Sequence, residues 1–132
     1  MRLNMPVTQR EVELTEGETL VSKTDTKGVI TYCNRAFQEI SGFSESEILG
    51  KEHNIVRHPD MPPAAFEDLW STLNAGRPWS GIVKNRCKNG DHYWEYAEAS
   101  PIMEGGTVTG YLSVRFKADQ GAIDAASILY KL

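Results

Sequence analysis

Asn89-Gly90 lies between two strand-like runs, and it is the feature that most narrows what this chain can fold into. Asn-Gly readily adopts the positive φ angles of a two-residue hairpin turn, so residues 79–88 and 92–103 are predicted to pair as antiparallel strands. A second turn, Glu104-Gly105-Gly106, leads into a third strand at 107–117. Upstream, the β-rich runs 19–25 and 29–33 flank Thr26-Lys27-Gly28 and read as another hairpin.

The block between these strand groups is helical in pattern. Asn34 opens a short helix with an apolar stripe of Ala36, Phe37 and Ile40, ended by Gly42. Ser44 and Glu47 have capping-box spacing before Ile48-Leu49, and Gly50 terminates that turn. A longer helix follows, with Asp60 as its expected cap and Pro62 and Pro63 in its first turn. Phe66, Leu69, Trp70 and Leu73 form its buried stripe, and Gly76 follows its end. Strands on either side of a helical block imply an α+β fold: a five-stranded antiparallel sheet with helices gathered on one face. That layering leaves room for a small ligand between sheet and helices. The division is residues 1–18 as an extension, partly helical or mobile, 19–118 as the domain, and 119–132 as an amphipathic flanking helix.

The 132 residues match one domain, and no run approaches the roughly 18–20 apolar residues of a membrane helix. Residues 1–10 lack the apolar core of a signal peptide, so a cytoplasmic location is expected. The formal charge of −4 argues against general nucleic-acid binding, and two cysteines, Cys33 and Cys87, fit a reducing compartment. Three Trp, five Tyr, four Phe and eleven Gly in so short a chain suggest a turn-rich fold with a planar guest.

Gly28 to Phe37, Ser41 to Gly50, Trp79-Ser80-Gly81, Lys88 to Trp94 and Gly110-Tyr111-Leu112 resemble PAS sensor domains. Within that family, His53 to Pro62 and Trp79 to Arg86 resemble the PAS domain of aerotaxis (Aer-type) methyl-accepting chemotaxis transducers. The resemblance implies a PAS fold around a cofactor cavity and FAD bound by Arg57, His58, Asp60, Trp79 and Asn85. It further implies redox or oxygen sensing without catalysis, in a homodimeric, membrane-anchored receptor with an adjacent HAMP-type signalling module.

Each of these residues also has an ordinary reading. Arg57 offers five donors to a phosphate or carboxylate, or pairs with Asp60 on the surface. His58, held extended by Pro59, is a ligand contact or a turn histidine, and Asp60 is a helix cap, a ribose contact or the group orienting its neighbours. Trp79, Gly81, Val83, Asn85 and Cys87 share one strand face. Trp79 there stacks on a ring or fills the core, Gly81 permits close approach, and a buried Asn85 requires a polar partner. Ala97 and Ala99 share a face of the next strand, which suits a flat guest. Residues 54–61 hold no cysteine, against a light-driven cysteinyl adduct. Haem ligated by His53, His58 or His92, and a ligand-free interaction module, stand as alternatives.

Overall fold

A computed structural model describes residues 4–132. Five strands, β1 (Leu20–Thr24), β2 (Ile30–Cys33), β3 (Trp79–Arg86), β4 (His92–Glu104) and β5 (Thr107–Lys117), form one antiparallel sheet in the order β2-β1-β5-β4-β3. Four helices, α1 (Arg35–Ser41), α2 (Glu45–Ile48), α3 (Pro63–Asn74) and α4 (Gln120–Leu129), complete the expected α+β architecture.

Local chemistry sets several element ends. Asn34 accepts from Phe37 N and caps α1, Gly42 ends it at φ 78°, and Ser44 and Glu47 make the reciprocal capping box of α2. Asp60 does not cap α3: Pro62 occupies that position without a side-chain bond, and the Asp60 carboxylate is drawn 2.9 Å from Lys84 Nζ instead.

Strand alternation gives the sheet two unlike faces. The inner face, under α1 and α3, joins a core of Leu20, Ile30, Phe37, Ile48 and Tyr93 to the site described below. The outer face is covered as well. Ile123 and Ala126 of α4, with Tyr130 at its C-terminal cap, pack on Ile82, Trp94 and Tyr96, and the Tyr130 hydroxyl donates to Ile82 O at 2.7 Å. Helices therefore occupy both faces, because α4 folds back across the sheet.

Residues 4–18 contain no helix, so the helical alternative for that segment is not realised; residues 1–3 lie outside the described residues. The segment is pinned in an extended course. Glu11 bridges to His92, Thr8 Oγ1 and Arg10 Nε bond Asp91, Leu14 is buried, and Asn4 Nδ2 donates to the carbonyls of Asn54, Ile55 and Arg57. Its sparse apolar positions suffice because backbone and polar side-chain bonds hold it. No helix among the described residues is long and apolar enough to cross a membrane.

Candidate functional site

A cavity of about 570 Å³ separates the inner sheet face from α3 and a 3₁₀ turn, His53–Val56. The volume is in the range of small-molecule and cofactor sites. Val83, Ala97 and Ala99 floor it and Phe66, Leu69 and Leu73 of α3 roof it, so the small side chains at 97 and 99 create the space.

A polar cluster projects into this apolar slot. Asn85 Nδ2 donates to Glu95 Oε1 at 2.8 Å, and Glu95 Oε2 stands 3.4 Å from Arg115 Nε without hydrogen-bond geometry. Arg115 is fixed from three sides: its Nη1 donates to Ser22 Oγ and Ser113 Oγ, each at 3.0 Å, and meets His53 Nε2 at 3.1 Å. Its guanidinium also lies 4.5 Å from the Phe37 ring centroid. Burial, reinforced by the Arg115 charge, pushes His53 down to about 3, so its ring is neutral and Nε2 accepts from Arg115 and Ser22. Burial pushes Glu95 up to about 7, outweighing the opposing pull of Arg115 and the Asn85 bond.

Several polar atoms of the lining residues are buried without a hydrogen bond: Arg57 Nη2, Arg115 Nη2, Thr24 Oγ1 and Glu95 Oε2, whose one close neighbour is Arg115 Nε. Leaving such atoms buried and unpaired costs about 1–3 kcal/mol each, so a polar ligand edge that engaged them would be favoured. This donor-rich wall beside an apolar slot fits a planar heterocycle bearing carbonyls.

The five sequence-predicted residues separate here. Asn85 and Arg57 line the cavity; Arg57 lies 4.0 Å over the Phe66 ring, and its backbone bridges to Asn85 along the free edge of β3. His58, Asp60 and Trp79 do not line it. Almost fully buried, His58 meets His92 edge to face at 6.0 Å, and its Nδ1 accepts from Asp60 N at 3.0 Å. Burial, and next the Lys84 charge, pull this histidine down to about 4. Asp60, bonded to Lys84, is held below the usual carboxylate range mainly by that bond. Trp79 packs with Leu73, Ala99 and Tyr111, and its Nε1 donates to Asp68 Oδ2 on α3 at 2.8 Å. The absent side chain of Gly81 makes room for that indole rather than for a guest: a Cβ would lie 2.6 Å from Trp79 Cη2.

Sequence reasoning missed Glu95, Arg115 and His53 as a unit. Glu95 shares the inward phase of Ala97 and Ala99, and Arg115 pairs across the sheet with Ala97, so the same alternation carried the signal. Cys33 and Cys87 are buried thiols outside the cavity, both pushed up by burial, Cys87 to about 11. No group of three or more metal-ligating side chains occurs among the described residues.

Residues 30–115 match the family described as PAS fold. The chain belongs to the PAS family. The aerotaxis receptor of Escherichia coli K12 is 51% identical to this PAS domain over 95% of the chain, which spans 25% of that receptor. This likeness groups the domain with the PAS domain of an aerotaxis-type transducer. A nitrogen fixation regulatory protein of Klebsiella pneumoniae is 27% identical over 72% of the chain and 19% of its own length. Among solved structures, a light-oxygen-voltage domain studied with a flavin analogue superposes with a TM-score of 0.76 at 23% identity, covering 87% of this chain and 88% of that one. The light-state domain of the blue-light photoreceptor Aureochrome1 gives 0.76 at 20% identity over 86% and 91%. Both likenesses concern the fold.

Proposed function

We propose that this PAS domain binds FAD and acts as a non-enzymatic redox or oxygen sensor for an aerotaxis transducer, reporting to the chemotaxis machinery. The observation that carries the reading is the set of unpartnered polar atoms on Arg57, Arg115, Glu95 and Thr24 around an apolar slot. Likeness to an aerotaxis receptor, and fold likeness to a domain studied with a flavin analogue, support the ligand class.

Asn85, Arg57 and Arg115 would hold the flavin; when bound, it supplies a redox-active ring whose charge and protonation differ between its oxidised and reduced forms. The chain's own residues supply the rest. Trp79 and its bond to Asp68 hold α3 against β3, and Asp60 with Lys84 fixes the loop that carries Arg57, so these two and His58 act as positioning residues. A changed hydrogen bond at Asn85 or Glu95 reaches the outer face through β3 and β4, where Trp94 contacts α4. For such a two-state shift, the ligand's redox forms must bind the two arrangements unequally. A cytoplasmic position, a HAMP-type neighbour and a homodimeric receptor belong to the same proposal.

Haem ligation is the weaker reading, because His58 and His92 lie off the cavity and His53 Nε2 is engaged by Ser22 and Arg115. Cofactor release from purified protein tests the proposal. FAD is expected, with occupancy reduced in Arg57→Ala and Asn85→Ala; protein that takes up no flavin after supplementation refutes it.

A further inference from the structure

We propose that Glu95 recognises the bound ring as a neutral carboxylic acid, its Oε2 donating a proton-bearing hydrogen bond to a ring acceptor, so that ligand binding draws a proton from solution. The inference rests on the flavin reading above and adds a specificity-determining residue to it.

Oε1 already accepts from the Asn85 amide, so Oε2 is the end of the carboxyl left without a hydrogen bond; it is buried, on a residue that lines the cavity. Arg115 is the nearest compensating cation, yet its three Nη1 contacts and its seat over Phe37 leave Nε 3.4 Å away and misdirected. An ionised Glu95 would be a 2% exposed anion with an imperfect counter-ion, a costly state once a ligand displaces remaining water.

Burial favours the protonated form against the pull of the cations that face it. His53 from the 3₁₀ turn is neutral, and Tyr93, two residues before Glu95 on β4, is pushed well above its ordinary value by burial. Arg57 approaches from the loop before α3, and Lys117 on β5 pairs across from Glu95 but is solvent-exposed. Lys27, Glu52 and Glu67 stand at the exposed rim. With Glu95 pushed up to about 7 by burial, an acceptor opposite Oε2 stabilises the protonated form further. The balance is simple: the carboxylate gains one solvent proton, no covalent bond to the ligand forms, and no electron moves.

Calorimetric titration of the flavin-free full chain with FAD, in two buffers of different ionisation enthalpy, tests this. At about pH 8 the wild type should take up close to one proton per FAD bound, and Glu95→Gln none. Wild-type affinity should fall roughly tenfold per pH unit above the point where Glu95 ionises, while Glu95→Gln, whose amide still donates, stays flat. A wild type with no proton uptake, or a Glu95→Gln protein with the same uptake and pH slope, overturns the proposal while leaving the flavin reading intact. Absence of FAD binding by either protein at about pH 6 refutes the flavin reading and this proposal together. Should Glu95→Gln fail to fold, the wild-type proton count alone decides.

Discussion

Glu95→Gln should stabilise the ligand-free domain, and the gain should depend on pH. The folded carboxyl is pushed from an ordinary 4.5 to about 7 by burial beneath α3, whereas in the unfolded chain it ionises at its ordinary value. The unfolded state therefore releases its proton first. Glu95's favourable contribution is complete below 4.5 and is lost as pH rises through about 7. The interval corresponds to about 3 kcal/mol at full development, an upper figure because Arg115 can shift towards an ionised partner. Glutamine is close in shape and can donate at Oε2's position, so it removes the titration without opening a cavity. Urea unfolding at a series of pH values measures the difference. We expect the variant's advantage over wild type to grow from acid to alkaline conditions by about 2–3 kcal/mol, with the slope of free energy against urea unchanged. A difference that stays constant with pH would refute the assignment of a buried, proton-bearing Glu95.

Other regions give separate tests. Below about 6.5 the buried histidines should have the opposite effect: His53 and His58 are pulled to about 3 and about 4, so the unfolded chain binds their protons first and stability falls as pH drops. Replacing His58 with Gln should flatten part of that acid limb in a pH series of thermal melts. Gly81→Ala should cost about 1–3 kcal/mol, because its methyl group displaces the Trp79 indole and with it the bond to Asp68; unchanged stability and tryptophan fluorescence would contradict this. Asn4→Ala removes one amide serving three carbonyls of the 3₁₀ turn and its exit, and should lower stability by about 1–3 kcal/mol. Hydrogen exchange should report faster opening around residues 54–57 in that variant, and unchanged exchange would contradict the pinning.

What the sequence made legible was local. The Ser44–Glu47 capping box and the helix-ending Gly42 and Gly76 each depend on a few neighbouring residues and are present. The β3–β4 hairpin also forms, but through a wider turn than a two-residue Asn-Gly loop, with Gly90 N donating to Cys87 O and Gly90, not Asn89, at positive φ. Long-range pairings were harder to read. Asp60 is well spaced to cap α3, but Lys84, 24 positions on, takes its carboxylate. Period-two alternation aimed Trp79 inwards, yet could not show that the indole would lie over Gly81 and bond α3. Glu95 was legible in principle from the phase of Ala97 and Ala99. Its significance emerges only when β5 brings Arg115 alongside and the 3₁₀ turn adds His53. The return of α4 onto the outer face depends on Trp94 and Tyr96, and the course of residues 4–18 on Asp91, His92 and the 3₁₀ turn, all of which lie far from those segments in sequence.

The most direct test of the central claim is titration of flavin-free protein with FAD, followed by absorbance and by quenching of tryptophan fluorescence. Saturation is expected at one flavin per chain, with Trp70, which lines the cavity, quenched on binding and with affinity weakened in Asn85→Ala. A titration that never saturates, or saturates equally well in Arg57→Ala and Asn85→Ala, would contradict it.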